Sequence, residues 1–101
     1  LRGYEIDNAA RKIIDDAGYG KYFVHRTGHS ITTELHGDGP NADNYESKDE
    51  RIIMPGMSFS IEPGIYIPGD CGFRSEIDVF IDWDGNVECT GEERQFEILK
   101  I

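Results

Sequence analysis

Met57-Ser58-Phe59-Ser60-Ile61-Glu62-Pro63-Gly64-Ile65-Tyr66-Ile67 decides the fold of this chain. Met57, Phe59 and Ile61 alternate with Ser58, Ser60 and Glu62. A period of two belongs to a β-strand, with the apolar trio on one face and Glu62 on the other. Pro63-Gly64 bends the chain directly after Glu62, and Ile65-Tyr66-Ile67 continues beyond the bend. Residues 68–72, Pro-Gly-Asp-Cys-Gly, read as a turn. Residues 73–82 then alternate again. Phe73, Ile77, Val79 and Ile81 share one face, and Arg74, Glu76, Asp78 and Asp82 share the other. Asp84-Gly85-Asn86 turns into a short strand at Val87–Thr90. Successive strands with a short connection tend to pair antiparallel. Glu62 and Glu76 are therefore expected to converge on one side of a sheet, with Arg74 and Asp78 one pleat to either side of Glu76.

Upstream of this β region, residues 4–17 read as an amphipathic helix. Ile6, Ala9, Ala10, Ile13, Ile14 and Ala17 recur at helical spacing, and Gly18 is a natural stop. The helix is expected to serve packing, not chemistry. Residues 21–36 mix β-branched and aromatic residues with Gly28 and read as extended or irregular. Residues 37–51 are rich in Gly, Pro, Asn, Asp and Ser and read as a solvated loop. The tail from Glu92 to Ile101 has no clear assignment. The fold class is α+β: one amphipathic helix followed by antiparallel strands, in a single unit over residues 1–101. Leu1 opens the chain with a helix already under way, so a fragment of a longer protein is expected.

Composition narrows the function. Acidic residues outnumber basic ones twenty to ten, for a formal charge of −10. A nucleic-acid backbone would be repelled by such a surface, so nucleic acid is not an expected partner. No stretch approaches a membrane span, and a cytoplasmic location is expected. The two cysteines, Cys71 and Cys89, make no CxxC pair and have no histidine beside them, which argues against a zinc ribbon. They fall near turns in neighbouring strands, and two free thiols are the default in a reducing compartment.

Three residues of metal-ligating type stand out: His29, Glu62 and Glu76. Imidazole nitrogen and carboxylate oxygen together suit divalent first-row metals. Three ligands do not hold a metal pair, so further ligands are expected outside this chain. His25 and His29 are four apart and His36 follows seven later, but there is no HExxH, and Gly28 with its threonines disfavours a helix. Asp70 sits in a turn and is expected to be solvated. Arg74 either neutralises a carboxylate-rich site, binds a substrate carboxylate, or forms a surface ion pair of little energetic weight. No serine or cysteine stands in a nucleophile–base arrangement, and the scattered glycines make no phosphate loop.

Taken in order, Glu5-Ile-Asp-Asn-Ala-Ala-Arg11, Gly18-Tyr-Gly20, His25-Arg-Thr-Gly-His29, His36, Met54-Pro-Gly-Met57, Ile61-Glu-Pro-Gly-Ile-Tyr66 and Gly72-Phe-Arg-Ser-Glu76 resemble the pita-bread metallopeptidases. That family includes methionine aminopeptidase, aminopeptidase P and prolidase. The resemblance covers nearly the whole chain and corresponds to the C-terminal part of the catalytic domain. It implies that His29, Glu62 and Glu76 are metal ligands, with Glu76 bridging two divalent ions (Mn, Co, Fe or Zn). His36 would contact the substrate and stabilise the tetrahedral intermediate. His25 and Arg74 would be substrate-side residues of the Xaa-Pro branch, to which Ile65-Tyr66-Ile67-Pro68 also points. Glu62 would accept a proton from a metal-bridging hydroxide's parent water and pass it to the leaving nitrogen. Two aspartate ligands of the family lie upstream of all these motifs, so this chain alone is expected to be inactive, with the upstream part of the polypeptide and a peptide substrate as its partners. A homodimer is a further expectation, since relatives often pair.

Ser30-Ile-Thr-Thr stands where the family shows Gly-Ile-Gly, and Gly37 stands where an acidic residue is common. Both changes touch the pocket wall and not the ligands. Three other readings remain open: a methionine aminopeptidase, against which Arg74 and His25 weigh; a metal-free relative used for binding; and a plain α+β domain with incidental histidines.

Overall fold

A computed structural model describes residues 1–31 and 39–89. Helix α1 runs Gly3–Asp16, and a 3₁₀ turn covers Gly20–Tyr22. Strands follow at β1 Ser30–Ile31, β2 Ser58–Ile61, β3 Gly64–Ile67, β4 Cys71–Arg74, β5 Ile77–Ile81 and β6 Val87–Cys89. One sheet has the order β1-β2-β5-β6 and a second pairs β3 with β4, all antiparallel.

The stretch expected as one strand over residues 73–82 is two. β4 pairs with β3 and β5 pairs with β2, and the chain changes sheet at Ser75–Glu76. The facing strand changes sheet at Glu62–Pro63, where proline withholds a ladder N–H. Ile61 faces Ile77 on one side of this break and Gly64 faces Arg74 on the other. Ser75 N–H reaches Pro63 O across it at 3.4 Å. Both glutamates thus sit at one interruption, released from strand alternation but held in register by pairing on either side.

β2 lies between β1 and β5, and both of its faces are covered. Phe59 is buried against its register partner Val79, and Ser60 is fully buried on the opposite face. Gly28 approaches this strand so closely that a Cβ there would stand 1.7 Å from Ser60 O, so only glycine fits.

Helix α1 ends at a glycine as expected: Gly18 has φ +90°. Its burial is not as expected. Ile13 is 72% exposed and Ala9 and Ala17 are exposed, while Asp7 is fully buried. Ile6, Ala10 and Ile14 are half-buried, so the element docks by part of its apolar stripe together with a buried polar contact at Asp7.

The loop leading to β2 is also not simply solvated. Pro40, Ala42, Asp43 and Asp49 are buried. Asp43 Oδ1 accepts the backbone N–H groups of Tyr45 and Glu46, each at 2.9 Å. Asp49 accepts from Asn41 N–H at 2.8 Å and from the Arg51 side chain at 2.6 and 2.9 Å. Short acidic side chains satisfy loop donors that would otherwise be stranded. The Arg51 guanidinium, above all, holds the Asp49 carboxyl down at about 2 against an ordinary 3.8, and the Asn41 and Arg51 N–H groups assist against the opposing effect of burial. A depressed folded-state pKa stabilises above the unfolded value and is lost as pH falls through the folded one. Between about pH 4 and pH 2 the loop should lose at most about 2 kcal/mol from this carboxylate, since Arg51 is half exposed. Asp49→Asn should flatten that part of an acid-denaturation curve; an unaltered curve would remove Asp49 from the account.

Cys71 and Cys89 are exposed free thiols. They lie in β4 and β6, which belong to different sheets, and not in neighbouring strands as expected.

Candidate metal centre

His29 precedes β1, Glu62 follows β2 and Glu76 precedes β5, so all three flank the central β1-β2-β5 ladder. Backbone bonds lock the loop to the strand: Ser60 N–H donates to His29 O at 2.9 Å, and Glu62 N–H donates to Thr27 O at 2.7 Å. The His29 N–H donates to Ser60 Oγ at 3.0 Å.

His29 Nδ1 lies 3.0 Å from Ser30 O. A carbonyl only accepts, so Nδ1 carries the proton, and in the neutral ring Nε2 is the lone-pair nitrogen. That atom faces Glu62 Oε2 at 3.4 Å. Oε2 is buried and has no hydrogen-bond partner among the described residues. A buried carboxylate oxygen without a donor is costly, and here it points at a second electron-pair donor. A cation between them resolves both. The acceptor for the His29 ring, which orients a metal-binding imidazole, is the Ser30 carbonyl.

The interaction with Glu62, then burial and the negative charges of Glu62 and Asp78, push the Glu76 carboxyl above the ordinary glutamate range. For Glu62, burial acts upward but is outweighed by the interactions with Glu76 and Ser60 and by the Arg74 charge, so it lies below that range. Two neighbouring carboxylates that push each other's ionisation apart are a pair whose charges a divalent ion would offset. Among the described residues no three His, Cys, Asp or Glu side chains close around one ion position by themselves; Glu62 is the member common to both contacts.

Arg74 Nη1 stands 3.9 Å from Glu62 Oε1, with the arginine side chain about half exposed. The arginine thus pairs with Glu62, and Asp78, expected on the same strand face, lies in β5 of the other sheet. Asp70 is exposed in its turn, as expected. His25 does not join the His29–Glu62 contact. Its Nδ1 lies 2.6 Å from Arg26 O and its Nε2 3.0 Å from Tyr66 Oη, with the Phe23 ring edge-on at 5.2 Å. The carbonyl fixes the proton on Nδ1, so the Tyr66 hydroxyl donates to Nε2 in the neutral ring. His36 lies outside the described residues.

Sequence reading passed over Ser60, Ser30 and Tyr66. Ser60 shares the strand face of Glu62 by the period of two, which was a usable signal. The Ser30 and Tyr66 contacts have no counterpart in local pattern.

Residues 1–82 match the profile of metallopeptidase family M24, and the chain belongs to that family. It is 44% identical over 97 residues to the Xaa-Pro dipeptidase of Lactobacillus delbrueckii subsp. lactis, covering 96% of this chain and 25% of that protein. It is 43% identical over 91 residues to the Xaa-Pro dipeptidase of Pyrococcus furiosus, covering 90% of this chain and 25% of that protein. The solved Xaa-Pro dipeptidase from Bacillus anthracis superposes with a TM-score of 0.84 at 38% identity, over 97% of this chain and 26% of that one. The chain spans about a quarter of the length of the relatives it matches. Its α+β architecture is that of the C-terminal part of the pita-bread catalytic domain. Among the described residues no helix is long and apolar enough to cross a membrane.

Proposed function

We propose that this chain is the metal-ligating C-terminal portion of a two-metal peptidase that hydrolyses Xaa-Pro bonds. The observation that carries the reading is the buried, donorless Glu62 Oε2 facing His29 Nε2 at 3.4 Å. Family membership and the Xaa-Pro dipeptidases among the relatives support the reaction class and the substrate proposed.

His29 Nε2, the Glu62 carboxylate and the Glu76 carboxylate are the donors this chain offers to divalent ions, with manganese, cobalt, iron and zinc as candidates. When bound, such ions supply Lewis acidity that activates water and polarises the scissile carbonyl. Glu62 then carries a proton from the attacking water to the departing nitrogen at its carboxylate oxygens. Arg74, half exposed beside Glu62, offsets the doubled negative charge and faces solvent where a substrate carboxylate would arrive. Both His25 ring nitrogens are already engaged, so a contact from His25 to substrate runs through the Tyr66 hydroxyl or displaces it. His36 remains the proposed partner of the developing oxyanion.

Three ligands do not complete a two-metal site, so the remaining ligands belong to the rest of a longer polypeptide, and residues 1–101 alone should be inactive. Exposed Ile13, Phe73 and Trp83 accord with such a larger core.

The test is the full-length protein, stripped with a chelator and reloaded with each candidate metal. Cleavage of Xaa-Pro dipeptides should return with metal and should fall about 10²- to 10⁴-fold in Glu76→Gln. Preference for Met-Ala peptides would redirect the substrate assignment. Failure of the wild type to bind any of the four metals would end the peptidase reading.

A further inference from the structure

We propose that the buried Asp7–Arg11 pair of α1, acting through Thr27, is the positioning device of the His29–Glu62 centre. The inference rests on the metallopeptidase reading above and assigns roles that reading does not contain.

Asp7 is fully buried. Its Oδ1 accepts both the Thr27 N–H and the Thr27 hydroxyl, each at 2.8 Å. Arg11, one helical turn on, donates from Nε to Asp7 Oδ2 at 2.9 Å and from Nη2 to Oδ1 at 3.2 Å. The same guanidinium donates to Phe23 O at 2.9 Å and to His25 O at 2.8 Å, and lies 4.0 Å over the Phe23 ring. A planar fork is suited to hold a carboxylate and two carbonyls at once. Three residues of the loop, Phe23, His25 and Thr27, are therefore pinned by two side chains of α1.

The consequence lies on the other side of Thr27. Its N–H goes to Asp7 and its carbonyl accepts the Glu62 N–H at 2.7 Å. One peptide unit further, Gly28 presses on Ser60 with no room for a Cβ, and His29 O is bonded to Ser60 N–H. Two of the three metal-ligating residues thus take their backbone position from Thr27: Glu62 directly and His29 two residues along. Half of the apolar stripe of α1 (Ala9, Ile13 and Ala17) is exposed, while Asp7 is fully buried. A residue that merely packed α1 would not need an ionised group at zero exposure. A charged fork that fixes both ends of a ligand loop does.

Thr27→Val removes the hydroxyl from Asp7 and keeps the side-chain shape and the backbone N–H. Thr27→Ser keeps the hydroxyl and loses the methyl. In the full-length protein, Co²⁺ affinity and the visible absorption of the Co²⁺-loaded protein are the readouts, with far-UV circular dichroism as the check on folding. Thr27→Val should bind Co²⁺ about 10- to 100-fold more weakly than wild type, the range for lost outer-shell partners, with an altered absorption envelope, while Thr27→Ser should match wild type. If Thr27→Val fails to fold, Arg11→Lys takes its place. Lysine keeps the charge on Asp7 but lacks the fork, and should weaken Co²⁺ binding in the same way. Wild-type Co²⁺ affinity and spectrum in the folded Thr27→Val protein, or in Arg11→Lys where that substitutes, would overturn the proposal and leave the peptidase reading standing. Impairment in Thr27→Ser but not Thr27→Val would show a packing role for the methyl and also overturn it. No Co²⁺ binding by the wild type would remove both.

Discussion

Glu62→Gln in the full-length protein should abolish peptidase activity while leaving the metal-free protein as stable as wild type, or more so. The Oε2 atom is buried, it has no donor among the described residues, and it faces a ring nitrogen 3.4 Å away. Such a contact stabilises nothing in the absence of a cation. Glutamine fills the same volume and offers an amide N–H where the carboxylate offered only lone pairs, so the frustrated contact becomes a hydrogen bond. The same change removes a charged ligand and the group proposed to move the proton. Activity should fall about 10²- to 10⁴-fold, and metal affinity should fall by more than the roughly 100-fold typical of losing an outer-shell partner. Opposite movement of stability and function marks a residue kept for chemistry. Thermal unfolding of the stripped protein and a metal titration decide it: a Gln variant that is strongly destabilised and still binds metal would make Glu62 a structural residue.

Arg11→Met should produce the largest loss of stability, about 3–5 kcal/mol, because it leaves the fully buried Asp7 carboxylate without its counter-charge. The Phe23 and His25 carbonyls lose their donor in the same step. Replacing a buried ion pair wholesale by apolar residues is often harmless, but not here. In the double variant Asp7→Leu with Arg11→Met, the Thr27 N–H and hydroxyl would be stranded in turn. The double variant should therefore recover little of the loss. Denaturant titration of the full-length proteins reads both, and a double variant restored to wild-type stability would show that the pair is dispensable.

Much of the β region was legible because alternation survives in short strands. Met57 to Ile61 and Ile77 to Ile81 announce their faces, and the Pro63-Gly64 bend announces a break beside Glu62. The split of residues 73–82 into β4 and β5 was not legible. Alternation continues across Ser75, and only pairing with β3 on one side and β2 on the other separates the two. The helix shows the reverse failure. Its apolar stripe gave the element and its glycine stop correctly, yet the docking face is set by Asp7. The Asp7–Arg11 spacing of four was visible in the chain, but such a spacing is ordinarily a solvated surface pair. Burial is a property of what covers a residue, and nothing local records it. Likewise the loop over residues 39–51 has the composition of a solvated connection, and its Asp43 and Asp49 turn inward because their carboxylates satisfy its own N–H groups.

The order and chemistry of His29, Glu62 and Glu76, the antiparallel character of the strands and the family were determined by the amino-acid sequence alone, because residue type, period and motif order are one-dimensional. Which lone pair of His29 faces Glu62, that Glu62 and Glu76 shift each other's ionisation in opposite directions, and how α1 reaches the centre through Thr27 were decided only by tertiary structure. Each depends on the distance and direction between atoms brought together from separate parts of the chain, and a hydrogen bond or buried charge has no energy until that geometry exists.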